Sequence, residues 1–231
     1  MAITAKNLCF SFNETEPVLK NIDFDVKEKE LHIVLGANGS GKSTLFRCLA
    51  GLIEPLQGNI KSTSTISFLP QRIAPNQFMT IQQCLELGAG INNMQAVQEQ
   101  LIKFNLESFA QRTVHELSGG EQQRVWVASI CAEGSKYLLL DEPTASLDLH
   151  HAASILSILK ELAKKRGVCL ICHDWNLAIS FAEKISVLHE GELLASGEPK
   201  KIINEALIEK VFSGDVSLSW QNSQPIILPK K

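Results

Sequence analysis

Residues 31–51, "LHIVLGANGSGKSTLFRCLAG", constrain the fold more than any other segment. The near-continuous apolar run 31–35 is typical of a strand that is buried on both faces. It ends at a glycine-rich loop, and the residues that follow show helical periodicity as far as Gly51. A buried strand that leads through such a loop into a helix predicts an α/β fold with a mostly parallel sheet.

The loop 36–43 matches the pattern G-x-x-x-x-G-K-[ST] at every fixed position. Its glycines allow the backbone N–H groups to face a phosphate, Lys42 supplies positive charge, and Ser43 is placed to coordinate Mg²⁺. At ordinary residue frequencies, a chance match in this chain has a probability on the order of one percent. The segment therefore predicts a phosphate-binding loop.

Other apolar runs extend this core and suggest an insertion in it. Four runs read as further strands: "ISFLPQ", "KYLLLDEP", "GVCLICHD" and "ISVLHEGELLASG". Near the N-terminus, "LCFSF" and "NIDFDV" alternate as strands of a short antiparallel sheet do. Residues 74–134 show helical patterns and no convincing strand. We therefore expect a core formed by residues 1–73 and 135–231, with a helical subdomain at 74–134 inserted into it.

Polar residues follow several of the predicted core strands. Asp141 and Glu142 end "YLLLDE", where adjacent side chains point in different directions, so one can hold Mg²⁺ while the other faces an attacking water. His173 ends the next strand and can reach a γ-phosphate, and Gln71 can reach Mg²⁺ or water. Taken singly, these residues also suit a charged turn, a structural histidine and a surface glutamine.

A second glycine motif, "LSGGEQQR" at 117–124, reads as the start of a helix with Ser118 as its cap. The free N–H groups at such an end bind anions, so the chain has two candidate phosphate sites. Near the N-terminus, Phe12 offers a flat face to an adenine ring, although core packing is an equally ordinary role for it.

Composition narrows the class of protein. A net charge of −3 and a pI near 6.1 give no general attraction to nucleic acid. Six dispersed cysteines lack the density of a disulfide scaffold, and alternation places Cys169 and Cys172 on opposite faces of a strand. No apolar run reaches the roughly 20 residues that span a bilayer. We therefore expect any membrane role to depend on another chain.

Taken in order, these motifs resemble the ATP-binding subunits of ABC transporters over nearly the whole chain. The resemblance equates 36–43 with Walker A, Gln71 with the Q-loop, Asp141 and Glu142 with Walker B and its glutamate, and 146–148 with the D-loop. It equates Ser118, Gly119 and Gly120 with the signature, His173 with the switch histidine and Phe12 with the aromatic A-loop residue. Glu121 stands where the signature usually has glutamine.

The resemblance implies a P-loop NTPase core of the RecA-like kind and an Mg²⁺-dependent ATPase. Glu142, His173 and Gln71 are its expected catalytic residues, and Ser43, Gln71 and Asp141 its expected Mg²⁺ ligands. The residues expected to bind ATP are Phe12, Gly36, Ala37, Asn38, Gly39, Ser40, Gly41, Lys42, Ser43, Thr44, Ser118, Gly119, Gly120 and Asp148.

Family members dimerise head to tail, with each ATP between Walker A of one subunit and the signature of the other. The resemblance thus implies a homodimer, separate permease subunits, an extracytoplasmic substrate-binding protein and a location at the cytoplasmic face of the plasma membrane. The segments "CHDWNLA" and "HEGELLASGEP" are similar to importers of iron-siderophore, haem or cobalamin. The short link before Gln71 is commoner in zinc, manganese and molybdate importers. An exporter subunit and a soluble ABC ATPase outside transport are the alternatives.

Overall fold

The computed structural model describes residues 2–13, 16–62, 64–71, 78–90, 93–145 and 147–230. In these ranges the strands are β1 (Ala2–Ser11), β2 (Pro17–Lys27), β3 (Glu30–Leu35), β4 (Gln57–Lys61), β5 (Ile66–Leu69), β6 (Tyr137–Leu140), β7 (Gly167–Ile171), β8 (Lys184–His189), β9 (Glu192–Gly197), β10 (Val216–Gln221) and β11 (Gln224–Pro229). The helices are α1 (Lys42–Leu49), α2 (Ile81–Ala89), α3 (Met94–Lys103), α4 (Gly119–Ala132), α5 (Leu149–Ala163), α6 (Trp175–Phe181), α7 (Pro199–Ile202) and α8 (Glu205–Phe212). None of these helices is long and apolar enough to cross a bilayer.

The central sheet has six strands in the order β5-β6-β7-β3-β8-β9. Its first five strands run parallel, and β9 joins the edge as the antiparallel partner of β8. This confirms the predicted α/β fold with a mostly parallel sheet. Because parallel strands end at one edge, the residues that follow β3, β6 and β7 meet there.

A smaller sheet with the order β2-β1-β4 lies at the N-terminal end of the chain. The predicted antiparallel pairing of β1 and β2 is confirmed, although residues 14 and 15 of the expected turn lie outside the described ranges. The third strand, β4, was not predicted. Its sequence "QGNIK" has one apolar residue, Ile60, and its outer positions are exposed, so it lacks the alternation that signals a strand.

Two apolar clusters pack on opposite faces of the central sheet. Along β6, Leu138 belongs to one cluster and Leu139 to the other, as alternation requires. Cys169 and Cys172 divide in the same way, and both are buried free thiols. The prediction that these two thiols lie on opposite faces is therefore confirmed. Because the sheet lies between them, they do not form a metal-binding or redox pair.

The described part of 74–134 contains helices α2, α3 and α4 with the loops that join them, and its only strand-like pairing is an isolated bridge between Thr80 and Thr113. Helix α2 begins with a capping box between Thr80 and Gln83. Helix α4 packs on both α2 and α3. Residues 72–77 lie outside the described ranges, so the expected subdomain boundary at 73/74 remains a prediction.

The C-terminal tail forms a β10-β11 hairpin that packs on α6. The Asn176 side chain holds it there, because its Nδ2 donates to the carbonyl of Ile227 at 3.0 Å and its Oδ1 accepts the N–H of Ile227 at 2.9 Å. Asn176 lies three residues after His173 in the sequence "HDWN". The tail is thus attached to the segment that follows the strand-end histidine.

Candidate nucleotide site

The loop between β3 and α1 makes a tight backbone curl that depends on glycine. A Cβ atom at Gly36 would collide with the carbonyl oxygen of Leu188 in β8. At Gly41 the backbone φ is +100°, and a Cβ would lie 2.9 Å from the carbonyl oxygen of Val18. The neighbouring strands therefore leave no room for a side chain at these two positions.

Lys42 begins α1 and is almost fully buried. Its Nζ donates to the carbonyl oxygens of Gly36 at 2.9 Å and Ala37 at 2.8 Å. Burial lowers the pKa of this ammonium, and the two acidic residues after β6 oppose that effect. The Ser40 hydroxyl is also buried, without a hydrogen-bond partner among the described atoms. The buried ammonium and a glycine-rich loop whose residues 37–39 are exposed suit a phosphate.

Ser43 and Asp141 form an oxygen pair beside Lys42. The Ser43 hydroxyl donates to Oδ1 of Asp141 at 3.1 Å, although the two residues are 98 positions apart in the chain. Asp141 is 2% exposed, and burial raises the pKa of its carboxyl despite the hydrogen bond from Ser43. Hydroxyl and carboxylate oxygens are the ligands that Mg²⁺ prefers, so the pair fits that ion.

Glu142 points away from Asp141 and lies between two other predicted site residues. One carboxylate oxygen accepts from Nε2 of Gln71 at 2.7 Å, and the other lies 2.6 Å from Nε2 of His173. Its backbone φ is +55°, a left-handed conformation that costs about 1 kcal/mol or more for a residue with a side chain. The strained turn places this carboxylate over the cavity.

A cavity of about 530 Å³, large enough for a nucleotide, lies at this loop. Four of the residues expected at the phosphate loop and the Mg²⁺ site are not among its lining residues: Gly36, Ala37, Ser40 and Asp141. The lining residues are Phe12, Val18, Asn38, Gly39, Gly41, Lys42, Ser43, Thr44, Gln71, Glu142 and His173. Phe12 is 63% exposed and packs edge-on against Phe10, with ring centroids 4.9 Å apart. An exposed aromatic ring at a cavity suits base stacking better than core packing.

The signature residues lie at a different cavity, of about 340 Å³. It is lined by Ser118, Gly120, Glu121, Arg124, Leu147, Asp148 and His151. Among the described residues, none lines both this cavity and the one at the phosphate loop. A Cβ at Gly119 would meet no described atom within 4 Å, so packing within the chain does not require glycine at that position.

Asp148 begins α5 and belongs to the second cavity. Its Oδ1 accepts the N–H of His151 at 2.9 Å, and its Oδ2 lies 2.8 Å from Nδ1 of the same residue. These hydrogen bonds lower the pKa of the Asp148 carboxyl. Ser146, the first residue of the expected D-loop, lies outside the described residues.

A third cavity joins the other two along one face. Glu142 and His173 line both this third cavity and the phosphate-loop cavity. Leu147 lines both the third cavity and the signature cavity. The structure thus groups the expected site residues into two sets on a continuous surface. Sequence reasoning missed Val18 in the first set and Arg124 and His151 in the second. Val18 and His151 lie outside the motifs, and Arg124 ends the stretch 117–124 without being one of the residues assigned a role there.

We expect Asp141→Asn to raise the free energy of unfolding of the nucleotide-free protein at pH 7, by about 1 kcal/mol. The folded-state pKa of Asp141 lies above its unfolded value, so folding favours the protonated form. The protonated Asp141 therefore adds to the free energy of unfolding at low pH, and this addition is lost as the pH rises through the folded-state pKa. The stability gap between variant and wild type should therefore be largest near neutral pH and close toward pH 4 in urea titrations.

Asp23→Asn provides a control of opposite sign. Asp23 accepts from Nζ of Lys6 at 2.7 Å and from the N–H of Asn7 at 2.8 Å, and these contacts lower the pKa of its carboxyl. The ionised Asp23 therefore adds to the free energy of unfolding near neutral pH, and this addition is lost on acidification. The Asp23→Asn variant should be less stable than wild type at pH 7. A loss of stability at pH 7 in Asp141→Asn would contradict the burial account.

Sequence comparisons agree with this geometry. The family model described as ABC transporter matches residues 19–145, more than half of the chain. The petrobactin import ATP-binding protein FpuD of Bacillus anthracis is 32% identical, over 94% of this chain and 89% of that protein. The hemin import ATP-binding protein HmuV of Rhodopseudomonas palustris strain BisB18 is 35% identical, over 92% and 89%.

Solved structures give the same result. A chain of an inward-facing ABC transporter assigned to the metal-chelate type superposes with a TM-score of 0.87 at 27% identity, covering 100% of this chain and 97% of that one. The dimeric ATP-binding cassette MJ0796, bound to ADP and Pi, superposes with a TM-score of 0.77 at 28% identity. The match covers 85% of this chain and 98% of that one. The fold and these relatives together show that the chain belongs to the ABC transporter family, as an ATP-binding P-loop ATPase subunit.

Proposed function

We propose that two copies of this chain pair head to tail and hydrolyse ATP to drive import through a separate permease. The observation that carries this proposal is the separation of the two cavities, which share no described lining residue. One holds a buried lysine and an oxygen pair, and the other ends in a helix N-terminus whose Gly119 faces open space. Each copy supplies half of a site, and ATP joins the two halves.

In the first half-site, the phosphate-loop N–H groups and Lys42 bind the β- and γ-phosphates, and Phe12 stacks on the adenine. Ser43 and Asp141 hold Mg²⁺, with Gln71 as a further oxygen ligand. Mg²⁺ bound there neutralises phosphate charge as the reaction proceeds. Lys42 must exchange its contacts with Gly36 and Ala37 for phosphate oxygens, so the loop carbonyls hold the ammonium in place before ATP arrives.

Glu142 is the general base of this proposal. Its carboxylate takes a proton from the attacking water, and His173 contacts the γ-phosphate. Support comes from their geometry, since Glu142 already touches both Gln71 and His173 and lies close to the oxygen pair. In the second half-site, the N–H groups at the start of α4 and the Ser118 hydroxyl of the partner copy bind the γ-phosphate. Gly119 and Gly120 allow its close approach, and Asp148 contacts the other copy.

Hydrolysis removes the γ-phosphate contact that joins the copies, so the dimer opens. Gln71 connects this event to the helical segment 78–134, because it contacts Glu142 and lies seven residues before that segment in the sequence. Two large apolar side chains of the segment, Phe78 and Leu87, are 84% and 67% exposed. These two side chains are the candidate permease contacts of the segment, since contiguous exposed apolar side chains mark interaction surfaces.

The direction and the cargo class rest on the relatives. Their names describe import of petrobactin and hemin, and the structural neighbour is assigned to the metal-chelate type. We therefore assign this subunit to a metal-chelate or metal-ion importer. It would lie at the cytoplasmic face of the plasma membrane, bound to the permease, with a substrate-binding protein on the outer side.

We expect Glu142→Gln to reduce ATP turnover by at least about 100-fold and to trap a dimer in the presence of Mg²⁺ and ATP. The neutral amide cannot accept the proton, so the γ-phosphate contact persists. Turnover is measured as phosphate release, and dimer formation by sedimentation. Glu190→Gln is the matched control, because Glu190 also has a left-handed φ, +49°, but lies in an exposed turn after β8. Rapid hydrolysis by Glu142→Gln would remove Glu142 from the role of base.

The cargo class is tested by uptake in cells that express the chain together with its partner permease. We expect accumulation of a labelled ferric siderophore, haem or a transition-metal ion that disappears in the Lys42→Ala variant. Lys42→Ala removes the buried ammonium and leaves the permease unchanged, so it isolates the ATP-driven step. Equal uptake in both strains, or Lys42-dependent efflux, would contradict the assignment as an importer.

A further inference from the structure

The start of α4 already contains an anion of its own. Oε2 of Glu121 accepts two hydrogen bonds from Ser118, one from its N–H at 2.9 Å and one from its hydroxyl at 2.7 Å. The N–H of Glu121 in turn points to the Ser118 hydroxyl oxygen at 3.4 Å. This capping box uses two of the donors at the helix end, where the proposed dimer needs donors for phosphate.

The charge at this end is only partly compensated. Arg124 lies 4.0 Å from Oε1 of Glu121, and the same cavity is lined by Asp148 and His151. The hydrogen bonds from Ser118, assisted by Arg124 and Arg112, lower the pKa of the Glu121 carboxyl, so it is ionised at neutral pH. Its side chain is 30% exposed, which leaves its field open toward an approaching ligand.

We propose that Glu121 is a positioning residue that competes with the γ-phosphate of the partner copy for the Ser118 hydroxyl, and so raises the ATP concentration at which two chains close. Closure requires the Ser118 proton to turn from the Glu121 carboxylate to a phosphate oxygen. It also brings two anions together, at a cost that falls with ionic strength. This inference rests on the head-to-tail dimer proposed above.

Glutamine, the residue usual at this position of the signature, provides a clean substitution. Its side-chain oxygen can accept from Ser118 and preserve the capping box, because glutamine and glutamate serve equally at the third helical position. It removes only the negative charge. Glu121→Gln therefore separates the competition with phosphate from the structural role of the cap.

The chain contains a matched control a few residues away. Oε2 of Glu116 accepts from the Thr113 N–H at 2.8 Å and from the Thr113 hydroxyl at 2.7 Å, in a second capping box of the same form. Glu116 does not line the signature cavity. Glu116→Gln thus removes one negative charge from a capping box of the same form, at a position outside the proposed contact with the γ-phosphate.

The experiment titrates Mg²⁺ and ATP against dimer formation, measured by sedimentation, in three proteins. All carry Glu142→Gln to prevent hydrolysis, one adds Glu121→Gln and one adds Glu116→Gln. We expect Glu121→Gln to lower the half-maximal ATP concentration by about three- to tenfold, and Glu116→Gln to leave it unchanged. Raising NaCl from about 50 to about 500 mM should narrow the difference, since the repulsion is screened.

A second readout separates this effect from simple nucleotide affinity. Binding of a fluorescent ATP analogue to dilute monomer should be equal in all three proteins, because Glu121 lies outside the phosphate-loop cavity. If all three dimerise at the same ATP concentration, Glu121 does not compete and this inference is wrong, while the dimer stands. If none dimerises at any ATP concentration, the head-to-tail dimer fails and the competition fails with it. If Glu116→Gln lowers the half-maximal ATP concentration as much as Glu121→Gln does, the effect comes from net charge alone and the inference is wrong.

Discussion

The close approach of the Leu188 carbonyl to Gly36 is the contact on which the rest of the site depends. It allows no side chain at that position, so the chain leaves β3 in a tight curl and enters α1 with Lys42 already buried. Strand β2 restrains the other end of the curl, where Val18 lies against Gly41. Two sheets therefore hold a loop whose backbone is the ligand-binding surface. Any larger residue at Gly36 would have to move the central sheet itself.

The order of the central strands then determines which side chains the loop meets. Because β3 lies between β7 and β8, with β6 next to β7, the residues after β6 and β7 come to the same edge. Asp141 turns inward to Ser43, while Glu142 turns outward to Gln71 and His173. Neighbouring acidic residues thus have separate surroundings, a buried one suited to a cation and a partly open one suited to a base.

Much of this arrangement could be predicted from local patterns. The phosphate loop, the buried strands and the opposite faces of Cys169 and Cys172 all follow from periodicity and spacing. Strand β4 could not be predicted, because its mostly polar residues are held by pairing with the distant β1. The left-handed φ of Glu142 was equally hidden, since it arises from packing around the strand end and not from a glycine in the sequence.

The separation of the two cavities makes the pair of chains, and not the single chain, the proposed unit of function. The most direct test mixes Lys42→Ala with Ser118→Arg, both in chains that also carry Glu142→Gln to prevent hydrolysis. The first lacks a working phosphate loop, and the second lacks a working signature, but together they retain one complete composite site. We predict that with Mg²⁺ and ATP neither variant alone sediments as a dimer, whereas the mixture does. A mixture that remains monomeric, while chains with Glu142→Gln alone dimerise under the same conditions, would contradict a site shared between two chains.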